Sequence, residues 1–100
     1  MEFMGVAGIE VIHSRPGEIN LAIDRLQGDP NFATEFKSKF SAIHGIQQVT
    51  ANADRGEALV LYDKQTLSSL SSLLALKSVF SSLFPEIDTF RLATWLSKYL

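Results

Sequence analysis

GIQQVTANADRGEALVLYD, residues 45–63, is the stretch whose reading decides the fold. Gly45 follows a helical pattern and can take the left-handed conformation that closes a helix. From Ile46 to Ala51, Val49 and Ala51 lie on one side and Gln48 and Thr50 on the other, the alternation of a half-buried strand. Asn52-Ala53-Asp54-Arg55-Gly56 is dense in turn formers: Asn and Asp bond their own backbone, and Gly56 permits positive φ. The second strand, Glu57 to Tyr62, is apolar on both sides, Ala58, Val60 and Tyr62 against Leu59 and Leu61. Such a strand belongs in the middle of a sheet and is covered on both faces. Asp63 ends it. A hairpin entered from one helix and left into another is therefore the expected centre of the molecule.

Working outward toward the N-terminus, Asp29 is a natural N-cap and Pro30 a natural first helical residue. Phe32, Phe36, Phe40 and Ile43 recur at helical spacing, so a helix to about His44 is expected with those rings in the core. Before it, Val6 to His13 alternates, with Ile9, Val11 and His13 on one face, and Glu18 to Asp24 alternates again through Ile19, Leu21 and Ile23. Arg15-Pro16-Gly17 lies between the two runs. It can be a turn joining a hairpin or a kink in one long strand, and the kinked strand is preferred because proline is tolerated at bulges and edges.

Toward the C-terminus, Thr66 is the expected cap of a second helix running to about Leu83. Leu67, Leu70, Leu74, Val79 and Phe80 form its expected buried side, widened by Leu73, Leu76 and Leu83. Its other side is mostly serine, with Lys77 the lone charge between Thr66 and Phe84. That composition is too polar for a membrane span. An amphipathic core helix is expected, with small side chains that also allow another helix to approach closely. Phe84-Pro85-Glu86-Ile87 breaks the helix. Phe90, Leu92, Trp95, Leu96 and Tyr99 then mark a last amphipathic segment, 89–100, appended to a domain of residues 1–88. A helix so short is marginal alone and has to dock on something.

One hundred residues is the length of one domain, and 46% apolar residues suffice for a modest core. The net charge is −2, with the basic residues scattered, so no electrostatic footprint for nucleic acid is present. With no cysteine in the chain, disulfides, zinc–thiolate sites, iron–sulfur clusters and thiol catalysis are excluded. The start, MEFMGVAGIE, lacks the basic and long apolar regions of a secretion signal, so a cytoplasmic location is expected.

His13 and His44 are the only imidazoles and the weak candidates for a metal or haem ligand. They share no ligand spacing on one element. His44, beside Gly45, suits a helix C-terminus and its last carbonyls; His13 is expected half-buried on the apolar side of its strand. The acids show no paired spacing for acid–base work, glycines form no phosphate loop, and the serines lack a triad or a nucleophile elbow. An enzyme is not expected, and no cofactor is assigned.

The order strand, helix, strand, strand, helix is the skeleton of a ferredoxin-like α/β plait: an antiparallel sheet with two helices on one face, here with an additional C-terminal helix. Four short runs in order carry a further resemblance: Val11-Ile12-His13-Ser14-Arg15-Pro16-Gly17, Arg25-Leu26-Gln27-Gly28-Asp29-Pro30, His44-Gly45-Ile46 through Val49, and Gly56 through Tyr62-Asp63. Together they resemble the cysteine-less branch of the heavy-metal-associated domains, over about Val11 to Phe84. Relatives with metal activity carry Cys-x-x-Cys between the first strand and helix, where this chain has Asp24 to Asp29. The family also commonly places arginines after the Pro-Gly, where Glu18-Ile19-Asn20 stands. The family's name implies metal, but these residues supply no sulfur ligand; the alternative in keeping with that name is a metal- or haem-binding carrier using His13, while the residues themselves imply an interaction module. The expected function is binding of a partner protein, or of a second copy, through the free sheet face and Phe90, Leu92, Trp95, Leu96 and Tyr99, with no nucleic acid and no membrane.

Overall fold

A computed structural model describes residues 8–85, together with Thr94 and Lys98. Its elements run β1 (Ile9–Arg15), β2 (Glu18–Ile23), a 3₁₀ turn (Asp24–Leu26), α1 (Pro30–Ser41), β3 (Ile46–Asn52), β4 (Glu57–Tyr62), α2 (Lys64–Leu67) and α3 (Leu70–Leu83). The four strands form one antiparallel sheet in the order β1-β2-β4-β3. The doubly apolar strand β4 is central, as its sequence requires. Ile19, Leu21, Ile23, Val49, Ala58, Val60 and Tyr62 point from the sheet into a core shared with the helices.

The preference for one kinked strand over residues 6–24 is not met. Pro16-Gly17 is the two-residue turn of a hairpin, with Gly17 at φ 86° and Tyr62 N donating to the Gly17 carbonyl at 2.9 Å. A bulge makes so tight a turn possible. Val11 opposes Leu21, but His13, not Ile12, opposes Asn20, so Ile12 is an extra residue in β1. An unbroken register would bring Ser14 opposite Glu18 and leave Arg15 to Gly17 in the loop. The bulge instead brings Arg15 opposite Glu18, and the two side chains bridge at 3.0 Å.

The hairpin also places β1 at a sheet edge, beside β2. β2, α1 and β3 make a βαβ unit with β4 inserted between its two strands. A ferredoxin-like plait closes with a strand after its second helix, antiparallel beside the first strand of that unit. Here β1 occupies that place from the N-terminal side, antiparallel to β2.

Asp29 caps α1 as expected, its Oδ1 accepting from Phe32 N at 3.0 Å, with Pro30 at the first position. Phe32, Phe36, Phe40 and Ile43 are all buried. Their rings meet those of α3: Phe40 and Phe80 centroids lie 5.1 Å apart edge-to-face, and Phe32 and Phe84 5.6 Å apart. Edge-to-face contacts of this kind add to the area term in holding two elements together.

The expected single helix from Thr66 to Leu83 is two. Asp63 caps α2, accepting from Gln65 N at 3.1 Å and from the Thr66 hydroxyl at 2.8 Å, so Thr66 supports a cap and is not one. Asp is the stronger cap of the two. The chain then extends at Ser69 (φ −64°, ψ 152°), whose hydroxyl accepts from Ser72 N to cap α3. The restart rotates the face. Ser72, Leu76, Phe80 and Leu83 are buried, whereas Leu70 and Leu74, expected in the core, are 74% and 56% exposed. Ser72 makes its place in the core tolerable by donating its hydroxyl to the His44 carbonyl at 2.7 Å.

Thr94 and Lys98 are helical and exposed. Phe90, Leu92, Trp95, Leu96 and Tyr99 lie outside the described residues. No helix among the described residues is long and apolar enough to cross a membrane.

Phe36 is completely buried between Phe32 and Phe40. Phe36→Ala should cost about 3–5 kcal/mol, a large part of the stability of a small domain. Urea titration reads this as a lower midpoint at unchanged slope.

Candidate functional site

The segment Asp24–Asp29 is the first place to look for chemistry, because metal-binding relatives carry their ligands there. In this chain Arg25, Leu26, Gln27 and Asp29 are committed to structure. Leu26 is fully buried. The Arg25 guanidinium lies 4.7 Å from the Phe32 centroid and 5.8 Å from that of Phe84, and it donates to the Leu83 carbonyl. A cation there sits at the carbonyl-rich end of α3, where the helix dipole favours it. Gln27 Nε2 donates to the Asp54 carbonyl at 2.7 Å, and Gly28 N to the Ala53 carbonyl at 2.7 Å. Asp29 is the α1 cap. The segment is thus a clamp joining the start of α1 to the β3–β4 turn and to the end of α3.

That turn is itself held by Asn52, whose Oδ1 accepts from Asp54 N at 3.0 Å and from Arg55 N at 3.2 Å. Gly56, at φ 67°, lets Gln27 lie against it: a Cβ there would stand 2.8 Å from Gln27 Oε1.

The histidines do not converge. The bulge at Ile12 moves His13 out of phase with Ile9 and Val11. It is opposite Asn20 on the helix-free face and exposed, not half-buried as expected. His44 lies beyond the end of α1, which stops at Ser41 with Ala42 as its cap, so its imidazole does not cap the last carbonyls. It is exposed, and it contributes its backbone carbonyl to Ser72. β1 and β3 are the two edges of the sheet, so His13 and the turn bearing His44 sit on opposite sides. Among the described residues no group of three or more His, Asp or Glu could hold a metal ion.

The helix-free face is the second candidate. Across it run Arg15, Glu18, Leu61 and Gln48 in one row, and His13, Asn20, Leu59 and Thr50 in the next. Leu59 and Leu61 are half-buried. The apolar surface expected there is a narrow strip along β4, between the polar positions Glu18 and Asn20 of β2 and Gln48 and Thr50 of β3. More exposed apolar surface lies at Leu70 and Leu74, one turn apart on the outer side of α3 beside Lys77 and the serines, and at Ile12, 50% exposed. Leu70 and Leu74 face the core only if the helix is continuous from Thr66, and it is not. The signal against it was Ser68-Ser69, a cap-forming pair inside an apolar run.

Residues 1–81 match the family model described as heavy metal associated domain 2. The chain belongs to this family. The match spans the hairpin, the Asp24–Asp29 clamp and most of α3, and it stops before residues 82–100. Neither a curated protein nor a solved structure matches the chain. Membership of the heavy-metal-associated family thus agrees with the antiparallel sheet carrying helices on one face.

Asp63 is the described group whose titration is clearly displaced. The Thr66 hydroxyl holds its carboxyl below the usual carboxylate range, with the Gln65 and Thr66 N–H groups and the charge of His44 assisting against some desolvation. A carboxyl lowered on folding stabilises the protein above its ordinary titration range, and that contribution disappears as pH falls through the folded-state value. Asp63→Asn should therefore be less stable than the parent at neutral pH and should converge with it in acid. Urea unfolding of both chains from about pH 7 to about pH 3 checks this.

Proposed function

We propose that this heavy-metal-associated domain is a non-catalytic protein-interaction module that docks a partner protein, or a second copy, through apolar surface. The reading assigns the contact to the Leu59–Leu61 strip of the open sheet face and to the appended segment 89–100, through Phe90, Leu92, Trp95, Leu96 and Tyr99. It adds Leu70 and Leu74 of α3. The observation that carries it is the exposure of those two leucines, 74% and 56%, on a helix whose other large apolar side chains are buried or half-buried. Exposed apolar side chains grouped on one face mark contact surfaces. Aromatic anchors such as Trp95 and Tyr99 are the residue types that dominate binding energy at such surfaces.

Leu70→Asp with Leu74→Asp should leave folding stability within about 0.5 kcal/mol, as exposed positions do. The same pair should abolish capture of the partner or change the mass measured by light scattering. Removal of residues 89–100 should do likewise. Unchanged mass and unchanged capture in both variants refute the proposal.

The second reading, a metal or haem carrier using His13, draws on family membership and on the exposed position of His13 beside Asn20. A single imidazole offers one ligand where stable sites use three or four. Titration of the parent chain and of His13→Ala with haem, copper and zinc separates the readings. The interaction module expects no saturable binding that depends on His13, and a saturable, His13-dependent isotherm would establish the carrier.

A further inference from the structure

Strand β1 holds its place in a way that allows it to be exchanged. Among the described residues it is an edge strand, hydrogen-bonded to β2 alone. Ile9 is its one fully buried side chain and Val11 is half-buried, while Glu10 and the residues from Ile12 to Arg15 are exposed. The connection to β2 is two residues, Pro16-Gly17, and the closed form needs two local irregularities: the bulge at Ile12 and positive φ at Gly17.

An open form needs neither. Ile9, Val11, Ile19, Leu21 and Ile23 all carry odd numbers, so one extended strand from 9 to 23 keeps them on a single face without a bulge. Proline prefers an extended conformation, and it biases Arg15 before it the same way. The Ile9–Ile23, Glu10–Ala22 and Val11–Leu21 pairings can then re-form with β2 of another molecule. The pairings of Ile9 to Val11 exist already and only residues 12–15 change partners, so the exchange demands little new complementary surface beyond an opened turn.

We propose that β1 exchanges between two copies of this chain: the Pro16–Gly17 turn opens, and β1 of one molecule takes the edge beside β2 of the other in a reciprocal, strand-swapped dimer. This goes beyond the docking surface proposed above and uses none of its residues. The charged pair Arg15–Glu18 and the Tyr62 N–H bond to Gly17 hold the turn closed in dilute solution. Association entropy also favours the single chain there, so the dimer belongs to high local concentration.

The absence of cysteine makes the test clean. Glu10 and Ala22 are directly paired in β1 and β2. Single variants Glu10→Cys and Ala22→Cys, mixed at millimolar concentration and oxidised, should give a covalent heterodimer in excess of the homodimer either forms alone. Mixing variants that carry Gly17→Val should tighten the association roughly tenfold, because a branched side chain disfavours the left-handed turn. No selective heterodimer with the natural turn overturns the proposal. So does an association that Gly17→Val leaves unchanged or weakens. Leu70→Asp with Leu74→Asp should not alter this crosslink, which separates its failure from failure of the docking surface.

Discussion

The fold depends on a line of aromatic rings. Phe32, Phe36 and Phe40 descend one face of α1, and Phe80 and Phe84 meet them from α3. A four-stranded antiparallel sheet can solvate one side but has to bury the other. Two short helices cover that buried side only if they also adhere to each other. Serine-rich α3 has weak intrinsic helicity, so its stability comes from this contact. Arg25 closes the line at one end, stacked on Phe32 and Phe84 and bonded to the last turn of α3. The sheet, both helices and the clamp at Asp24–Asp29 therefore stand or fall together.

The same clamp explains how a heavy-metal-associated domain can exist without sulfur ligands. In metal-binding relatives that loop has to hold side chains free for an ion. In this chain Leu26 goes into the core, Arg25 to the rings, Gln27 to the β3–β4 turn and Asp29 to the α1 N-terminus. Each polar interaction satisfies a group the fold would otherwise leave open: the N-terminus of α1, a turn carbonyl, a carbonyl at the end of α3. The position of the loop between strand and helix is kept, and its side chains serve cohesion.

How much of this was legible follows from which signals are local. The cap Asp29-Pro30, the phenylalanine spacing, the turn at Asn52–Gly56 and the central strand Glu57–Tyr62 were readable because each is set by neighbours in sequence. Two features were not. The odd-numbered apolar residues from Ile9 to Ile23 read as one strand, and only pairing with β2 forces the bulge that turns His13 outward. The second is the break at Ser68-Ser69. Hydrophobic spacing from Leu67 to Leu83 fits one helix, but a cap hydroxyl at Ser69 and the hydroxyl of Ser72 bonded to the His44 carbonyl select another phase. A buried serine satisfied by a distant backbone carbonyl leaves no trace in periodicity. The candidate contact surface lies in that blind spot, since periodicity alone places Leu70 and Leu74 in a core they do not join.

The two sheet edges bear on where a partner can sit. Exposed edge strands invite pairing with any extended chain, and bulges are a common defence. β1 carries one at Ile12, and β3 carries another between Ile46 and Gln48. Both edges are thus irregular where an incoming strand would need a regular ladder. Gln47, Gln48 and Thr50 also keep the β3 edge polar and exposed. Strand addition to the closed molecule is disfavoured on either side. Under the proposed docking role, recognition falls to side-chain surface, the strip at Leu59–Leu61 and the leucines of α3, where apolar groups are presented without an open backbone. An extended chain gains access only where β1 itself gives way, and the sequence that fits that seat by register is another copy of β1.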